Sequence, residues 1–295
     1  MDRIGRIALW VVAAAVLAFL LAPAILVLPM SLNSSPFLVF PPPGYTFSWF
    51  GQFFASPEWM AALQRSGEVA LGVVLLSVLL GLTAAYALTR SRRQRFMPLV
   101  EPLVTLPMIV PSLIFAVGVY IVAIRLHLLG GLWIVVLGQA VLAIPFVLLN
   151  LRAALQTIDP RLEEAAWTLG SKRIASFVRI TLPLMVPALI ASAVLAAVLS
   201  LDETVFALFM TPDTAPTLPV LMYRNIQYNL NPLVPVAAAV MVFATGLVGG
   251  VGGFAYWLAR RRLGSGRGSA SMLNQDLISQ STADEVASDG EVAGV

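Results

Sequence analysis

Several uninterrupted apolar runs, each about 20 residues or longer, constrain the fold of this chain more than any other feature. A run of that length forms a helix that crosses the hydrocarbon core of a bilayer, about 30 Å at 1.5 Å per residue. A chain of 295 residues that is 59% hydrophobic and 11% charged cannot bury all of these runs in one water-soluble core. The sequence therefore predicts an all-α integral membrane protein. Six transmembrane helices are predicted, at about residues 7–32, 67–88, 99–124, 132–151, 184–210 and 233–258.

Basic residues indicate how the predicted spans are oriented. Cytoplasmic loops carry an excess of lysine and arginine, and four arginines fall within residues 90–95, between the second and third spans. If that loop, both termini and the segment between spans four and five are cytoplasmic, 15 of the 18 basic residues lie on the cytoplasmic side. The remaining three are Arg65, Arg125 and Arg224. We therefore predict a multi-pass protein with both termini in the cytoplasm.

Residues 1–263 are predicted to form one transmembrane domain, followed by a tail at residues 264–295. The tail is rich in glycine, serine and acidic residues, and it has too little apolar surface to fold, so we predict a disordered cytoplasmic extension. The chain has no cysteine and one histidine, and it lacks a phosphate loop, a zinc-binding histidine motif and a nucleophile elbow. We expect no catalytic residue, no metal site and no cofactor bound by this chain. Its net charge of +3 comes from arginines at helix ends, so no nucleic-acid partner is expected.

Residues 159–183 form the longest polar-rich segment between two apolar runs. Asp159 followed by Pro160 is typical of a helix start, and Gly170 provides a break at which a short helix can end and turn. A second helical pattern follows and is expected to end near Pro183. The 159–183 segment is therefore predicted to be a helix-turn-helix on the polar side of the membrane. The alternative is an amphipathic hairpin lying on lipid, but neither helix has the bulky apolar face that such hairpins use.

Asp202 and Glu203 are a conspicuous acidic pair inside the predicted fifth span. A carboxylate in hydrocarbon costs about 2.5–3.5 kcal/mol on insertion scales, so it normally faces a bundle interior or a wet cavity. Glu203 belongs to a stripe of small residues that permits close helix packing, and Asp202 is rotated from it by about 100°. The stripe comprises Ala188, Ser192, Ala196, Ser200, Glu203 and Ala207.

Two interpretations of the acidic pair remain open. In the first, the pair lines a pathway for a cationic solute, and Phe206 adds a cation–π attraction. In the second, one acid pairs with a basic or amide group of a neighbouring helix or subunit. Intramembrane lysine or arginine is missing from the chain, which favours the pathway.

The 159–183 segment reproduces the spacing of a known signature. Glu164, Ala165, Ala166, Gly170, Ile180, Leu182 and Pro183 match the EAA motif, and the chain therefore resembles the membrane-spanning subunits of binding-protein-dependent ABC importers. Three further stretches resemble the second permease subunit of spermidine/putrescine-type transporters. They are Phe40–Tyr45 (Phe-Pro-Pro-Pro-Gly-Tyr), Ser200–Glu203 and Thr217–Tyr223.

The resemblance implies a permease subunit that is not itself an enzyme and forms part of the pathway for a small solute, a polyamine such as spermidine or putrescine. It implies that the 159–183 segment, with Glu163 beside the motif residues, couples the spans to an ATPase. The implied partners are a second homologous permease, two cytoplasmic ABC ATPase subunits that use the ATP, a periplasmic solute-binding protein, and the lipid of a bacterial inner membrane.

Three alternatives stay open at this point. The first is an ABC permease for a different small solute. The second is an ion-coupled secondary carrier, in which Asp202 or Glu203 would titrate with the coupling proton, although the repeated halves common in such carriers are not visible. The third is a membrane scaffold or receptor without transport, which leaves the intramembrane acids without a purpose.

Overall fold

The computed structural model describes residues 3–37, 39–90, 97–212, 214–228 and 231–261. The predicted disordered tail and the arginine-rich loop at residues 91–96 lie outside these ranges. Regular structure in the described residues is helical, apart from an isolated β-bridge between Asn33 and Tyr45. The helices are α1 (Arg3–Ser31), α2 (Ser48–Ala55), α3 (Pro57–Arg90), α4 (Met97–Thr105), a 3-10 turn (Leu106–Met108), α5 (Ser112–Arg125), α6 (Leu132–Gln156), α7 (Arg161–Thr168), α8 (Arg173–Ser176), a π-helical turn (Phe177–Thr181), α9 (Leu182–Asp202), α10 (Val205–Met210), α11 (Leu218–Tyr228) and α12 (Leu233–Arg261).

Five described helices are long and apolar enough to cross a membrane. They are α1, α3, α6, α12 and a continuous helix that joins α8 to α9 over Arg173–Asp202. A bent pair, Val100–Met108 and Ser112–Arg125, supplies a sixth crossing if it counts as one span. The described chain is therefore a polytopic helical bundle with five or six spans.

The third predicted span, residues 99–124, is not one continuous helix. Its two halves meet at an angle of 103° across a break that follows Met108. Pro107 and Pro111 flank this break. A proline lacks the N–H that a helix interior needs, and it also restricts the residue before it. The prolines therefore turn the predicted span into a bent pair, which is either a broken span or a re-entrant loop.

The predicted fifth span, residues 184–210, is wrong at its C-terminal end. Helix α9 ends at Asp202, and Glu203 has extended backbone angles, with φ −76° and ψ 93°. The Glu203 carboxylate accepts a hydrogen bond of 2.9 Å from the backbone N–H of Phe206. Such side chain to backbone bonds compete with the helical ladder, and α10 begins only after this break.

Helices α3, α6 and α9 form the centre of the bundle. Helices α3 and α6 approach so closely at Gly81 that a Cβ atom there would lie 2.7 Å from a methyl carbon of Val147. On α9 three residues of the predicted small-residue stripe, Ser192, Ala196 and Ser200, are buried, and Ala188 is half-buried. Small side chains thus let the backbones of the three helices pack closely.

Helix α3 connects two separate regions of the molecule. It begins at Pro57 rather than at the predicted residue 67, because proline is well tolerated in the first turn of a helix. With 34 residues it is about 50 Å long at 1.5 Å per residue. Its N-terminal part packs, through Trp59, against Phe53 of α2 and Leu218 of α11. Its C-terminal part contacts the 159–183 segment.

Helix α1 contributes little to this core. In its most apolar 18-residue window, no residue is buried within the chain. The apolar side chains of α1, among them Trp10 and Phe19, are exposed. This helix therefore presents its surface to lipid or to another subunit.

Candidate functional site

The 159–183 segment has the two helices and the glycine turn that the sequence predicts. The Asp159 carboxylate accepts a hydrogen bond of 2.9 Å from the backbone N–H of Arg161 at the start of α7. Gly170 has φ +86°, in the left-handed region that favours glycine. The next backbone N–H, of Ser171, donates to the carbonyl of Ala166 at 3.0 Å, which is the C-terminal hydrogen bond of a Schellman motif.

The second helix of the segment does not end near Pro183, contrary to the sequence-based expectation. Helix α8 passes through the π-helical turn at Phe177–Thr181 directly into α9. Pro183 lies in the first turn of α9, where its missing N–H is tolerated. A π-helical turn adds one residue to the turn and absorbs such irregularities. The segment and the fifth span therefore share one helical rod.

Glu163 fastens the segment to the bundle. Its side chain is buried, with 1% exposure. The Tyr86 hydroxyl donates to Glu163 Oε2 at 2.7 Å, and the Thr181 hydroxyl donates to Oε1 at 2.5 Å. Arg90 Nε lies 3.6 Å from the same Oε1, and its Nη2 donates to the carbonyl of Ile158 at 2.9 Å. One carboxylate thus joins α3, α7 and the π-helical turn that leads into α9 through charge-assisted contacts.

The other residues of the predicted coupling set lie at or near the surface. Glu164, Ala165, Gly170 and Pro183 are exposed, whereas Ala166, Ile180 and Leu182 are half-buried. Two large apolar side chains of the segment also point away from the protein, Leu169 with 88% exposure and Ile174 with 79%. The structure therefore separates the two adjacent acids, with Glu163 directed inward and Glu164 outward.

Glu203 lines a cavity of about 220 Å³ beside the break in the third span. Gln139 of α6 lies in the same wall and is buried. The Gln139 side chain donates to the backbone carbonyl of Glu203 at 3.2 Å and accepts a hydrogen bond of 2.6 Å from Ser200. Pro107 and Ser112, from either side of the third-span break, also line the cavity. Two interrupted helices therefore meet around one acidic group.

Asp202 and Phe206 do not line this cavity. Asp202 is exposed, and Phe206 is completely buried with its ring stacked on Phe115 at 5.6 Å between centroids. The Phe206 ring also packs over Gly138, where an added Cβ would lie 1.8 Å from the ring. Of the three residues proposed for the pathway, the structure brings Glu203 into a cavity and separates the other two from it.

Sequence reasoning missed the partners of both acids. Tyr86, Arg90 and Thr181 bind Glu163, and Gln139 holds the backbone at Glu203. For Arg90 the sequence predicts only a role in membrane topology. Gln139 did carry a signal, since an amide within an apolar run needs a hydrogen-bond partner inside the bundle.

The described residues form a helical bundle with five or six candidate spans, a cavity lined by Glu203 between two broken helices, and a polar helix-turn-helix held against the spans. This arrangement suits a membrane transport subunit. Residues 77–263 match the family model described as "Binding-protein-dependent transport system inner membrane component". The chain belongs to this family and is an ABC importer permease subunit. Family membership favours the importer over the ion-coupled carrier and the scaffold.

Two curated relatives cover most of the chain. The putrescine transport system permease protein PotI of Escherichia coli strain K12 is 30% identical over 237 residues, which are 78% of this chain and 84% of PotI. The spermidine/putrescine transport system permease protein PotC of the same strain is 28% identical over 239 residues, which are 81% of this chain and 90% of PotC.

Solved structures share the fold at lower identity. A chain of a bacterial ABC transporter involved in the import of the acidic polysaccharide alginate aligns with a TM-score of 0.64 and 19% identity, covering 88% of this chain and 99% of that one. A chain of the MetNI methionine ABC transporter aligns with a TM-score of 0.59 and 18% identity, covering 69% and 99%. Because these transporters are named for chemically different solutes, the fold alone does not identify the solute.

Proposed function

We propose that this chain is the permease subunit of an ATP-driven importer for a polyamine such as putrescine or spermidine. The observation that carries this proposal is the similarity to PotI and PotC, which extends over 78% and 81% of the chain. A match that covers 78% of a 295-residue chain has to include its middle part, where Asp202 and Glu203 lie.

The chemistry of the Glu203 cavity supports a cationic solute. The cavity wall is mainly apolar, with Leu199 and Phe146 among its side chains, and a charge acts more strongly in such surroundings than in water. The ion pairs found among the described residues join Arg90 to Glu163 and Arg152 to Glu101, and neither involves Glu203. An ammonium group of the solute would supply the missing positive charge, while the exposed Asp202 next to it adds to the negative potential.

The proposed assembly contains a second homologous permease, two cytoplasmic ABC ATPase subunits and a periplasmic solute-binding protein in a bacterial inner membrane. Both termini of this chain lie in the cytoplasm, the partner ATPases hydrolyse ATP, and this chain performs no chemistry. One structural neighbour, with a TM-score of 0.62, is a bacterial alginate ABC transporter in complex with a periplasmic protein, which agrees with such an assembly.

The helical connections support a mechanism for coupling. The exposed side of the 159–183 segment, including Glu164 and Leu169, contacts the ATPase. The rod over Arg173–Asp202 has 30 residues and is about 45 Å long. It therefore carries movement of the segment to the break at Glu203. Glu163 transmits the same movement to α3, so that two spans respond together during alternating access.

The test is reconstitution of the chain with its partner subunits, followed by measurement of putrescine uptake and ATP hydrolysis. Glu203→Gln and Asp202→Asn keep side-chain size and remove charge. We expect Glu203→Gln to reduce putrescine uptake about tenfold, with intact assembly, and Asp202→Asn to have a smaller effect because it is exposed. Normal putrescine uptake by both variants, or an anionic native solute, would show that these acids serve helix pairing instead.

A further inference from the structure

A second, larger cavity lies between the end of α3 and the 159–183 segment. Its volume is about 550 Å³, and its described lining includes apolar side chains such as Leu79, Leu82 and Phe177. The same lining contains Arg90 and Arg173 and no carboxylate. The cavity therefore has an apolar interior with guanidinium groups at its edge, which suits an amphipathic anion.

The apolar wall of this cavity continues along the outside of α3. Leu71, Leu75 and Leu79 follow one another at four-residue spacing, so they share one face of the helix, and all three are exposed. Because α3 is a membrane span, this face meets hydrocarbon chains wherever no other subunit covers it. An acyl chain that lies along the leucine stripe reaches the cavity at Leu79, which belongs to both surfaces.

The charge at the cavity edge comes mainly from Arg173. Arg90 is held by the buried carboxylate of Glu163. In the described residues Arg173 has no acidic partner, and its guanidinium lies over the Trp167 ring, 5.1 Å from the centroid. The Trp167 indole N–H is buried beside it without a hydrogen-bond partner. A guanidinium and an indole N–H are both donors, and a phosphate oxygen is the acceptor that satisfies both.

We propose that this cavity binds an anionic phospholipid, with one acyl chain along the leucine stripe and the phosphate on Arg173 and the Trp167 N–H. Basic pockets between membrane helices on the cytoplasmic side are typical sites for anionic lipid headgroups. The proposal rests on the cytoplasmic placement of the 159–183 segment in the proposed function. A lipid bound there bridges α3 and α8, so the anionic lipid content of the membrane regulates how firmly the coupling segment is held.

The experiment uses the complex with its partner subunits, purified from vesicles of phosphatidylcholine containing phosphatidylglycerol. Native mass spectrometry counts the phospholipids that stay bound. Arg173→Gln removes the charge, and Ala87→Trp fills the cavity from α3 without changing charge. The matched control is Arg179→Gln, which removes the same charge from an exposed residue outside this cavity.

We expect the wild type and Arg179→Gln to retain phosphatidylglycerol in preference to phosphatidylcholine. Arg173→Gln and Ala87→Trp should lower that retention at least fivefold. Equal retention in all four complexes would overturn the proposal. A cross-link from an Ala87→Cys variant to a protein partner, instead of to lipid, would overturn it as well. Putrescine uptake is measured separately, so a lipid site is detected even if the transported solute proves to be different.

Discussion

Replacing Glu163 by alanine should release the coupling segment from the bundle. The substitution removes the carboxylate that accepts hydrogen bonds from Tyr86 and Thr181, and each such bond to a charged group contributes about 1.5–3 kcal/mol. It also leaves Arg90, whose side chain is 11% exposed, without its acid. Removing one partner of a buried ion pair costs about 3–5 kcal/mol.

These contributions share one carboxylate and therefore do not add. We expect Glu163→Ala to weaken docking of α7 on α3 by about 3–5 kcal/mol, which is about two to three and a half powers of ten in the docking equilibrium. Tyr86→Phe removes one hydrogen bond and should cost about 1.5–3 kcal/mol. Glu163→Gln keeps a carbonyl acceptor for one hydroxyl, places an NH2 donor opposite the other and loses the charge opposite Arg90, so its effect should fall between those of wild type and alanine.

Hydrogen exchange of the α7 backbone amides in the purified complex measures this docking directly, because local opening sets amide protection. In Glu163→Ala, the protection of the Arg161–Thr168 amides should fall by about two to three and a half powers of ten. Solute uptake per ATP hydrolysed should fall as well. Glu164→Ala is the matched control for exchange, since Glu164 is exposed and its loss should leave α7 protection unchanged. Unaltered protection in Glu163→Ala, or equal loss in both variants, would refute the assignment of Glu163 as the fastening residue.

Three further predictions follow from particular positions. Gly170→Leu should strain the turn by about 1–2 kcal/mol and weaken retention of the ATPase on purification. Gly170→Asn should retain the ATPase, because asparagine tolerates φ > 0. Equal retention by the two variants would exclude backbone conformation as the cause. Gly138→Ala should push the Phe206 ring out of place and destabilise the chain by about 1–3 kcal/mol, and an unchanged melting temperature in detergent would contradict that packing. A cysteine at Ser56 should react with a membrane-impermeant reagent only from outside, and labelling from the cytoplasm would reverse the proposed topology.

Local features of the structure were predictable because neighbouring residues decide them. Apolar runs of sufficient length predicted the membrane-spanning helices, and the start and turn of the 159–183 segment followed from Asp159 and Gly170. The spacing from Glu164 to Pro183 indicated the permease family, which the comparisons confirm. Each of these signals lies within one helix or one turn, where backbone geometry follows from the residue types themselves.

The tertiary structure alone decided what distant residues do to one another. The sequence does not distinguish Glu163 from its neighbour Glu164. In the structure Glu163 points inward, where it binds Tyr86, a residue 77 positions away. Helical periodicity likewise predicted an unbroken fifth span, yet α9 ends at Asp202, and Gln139 of α6, 64 positions away, donates to the backbone carbonyl of Glu203 at this end. A buried carboxylate needs hydrogen-bond donors. The donors of Glu163 lie elsewhere in the chain, so the residues next to it in the sequence do not reveal that it is buried.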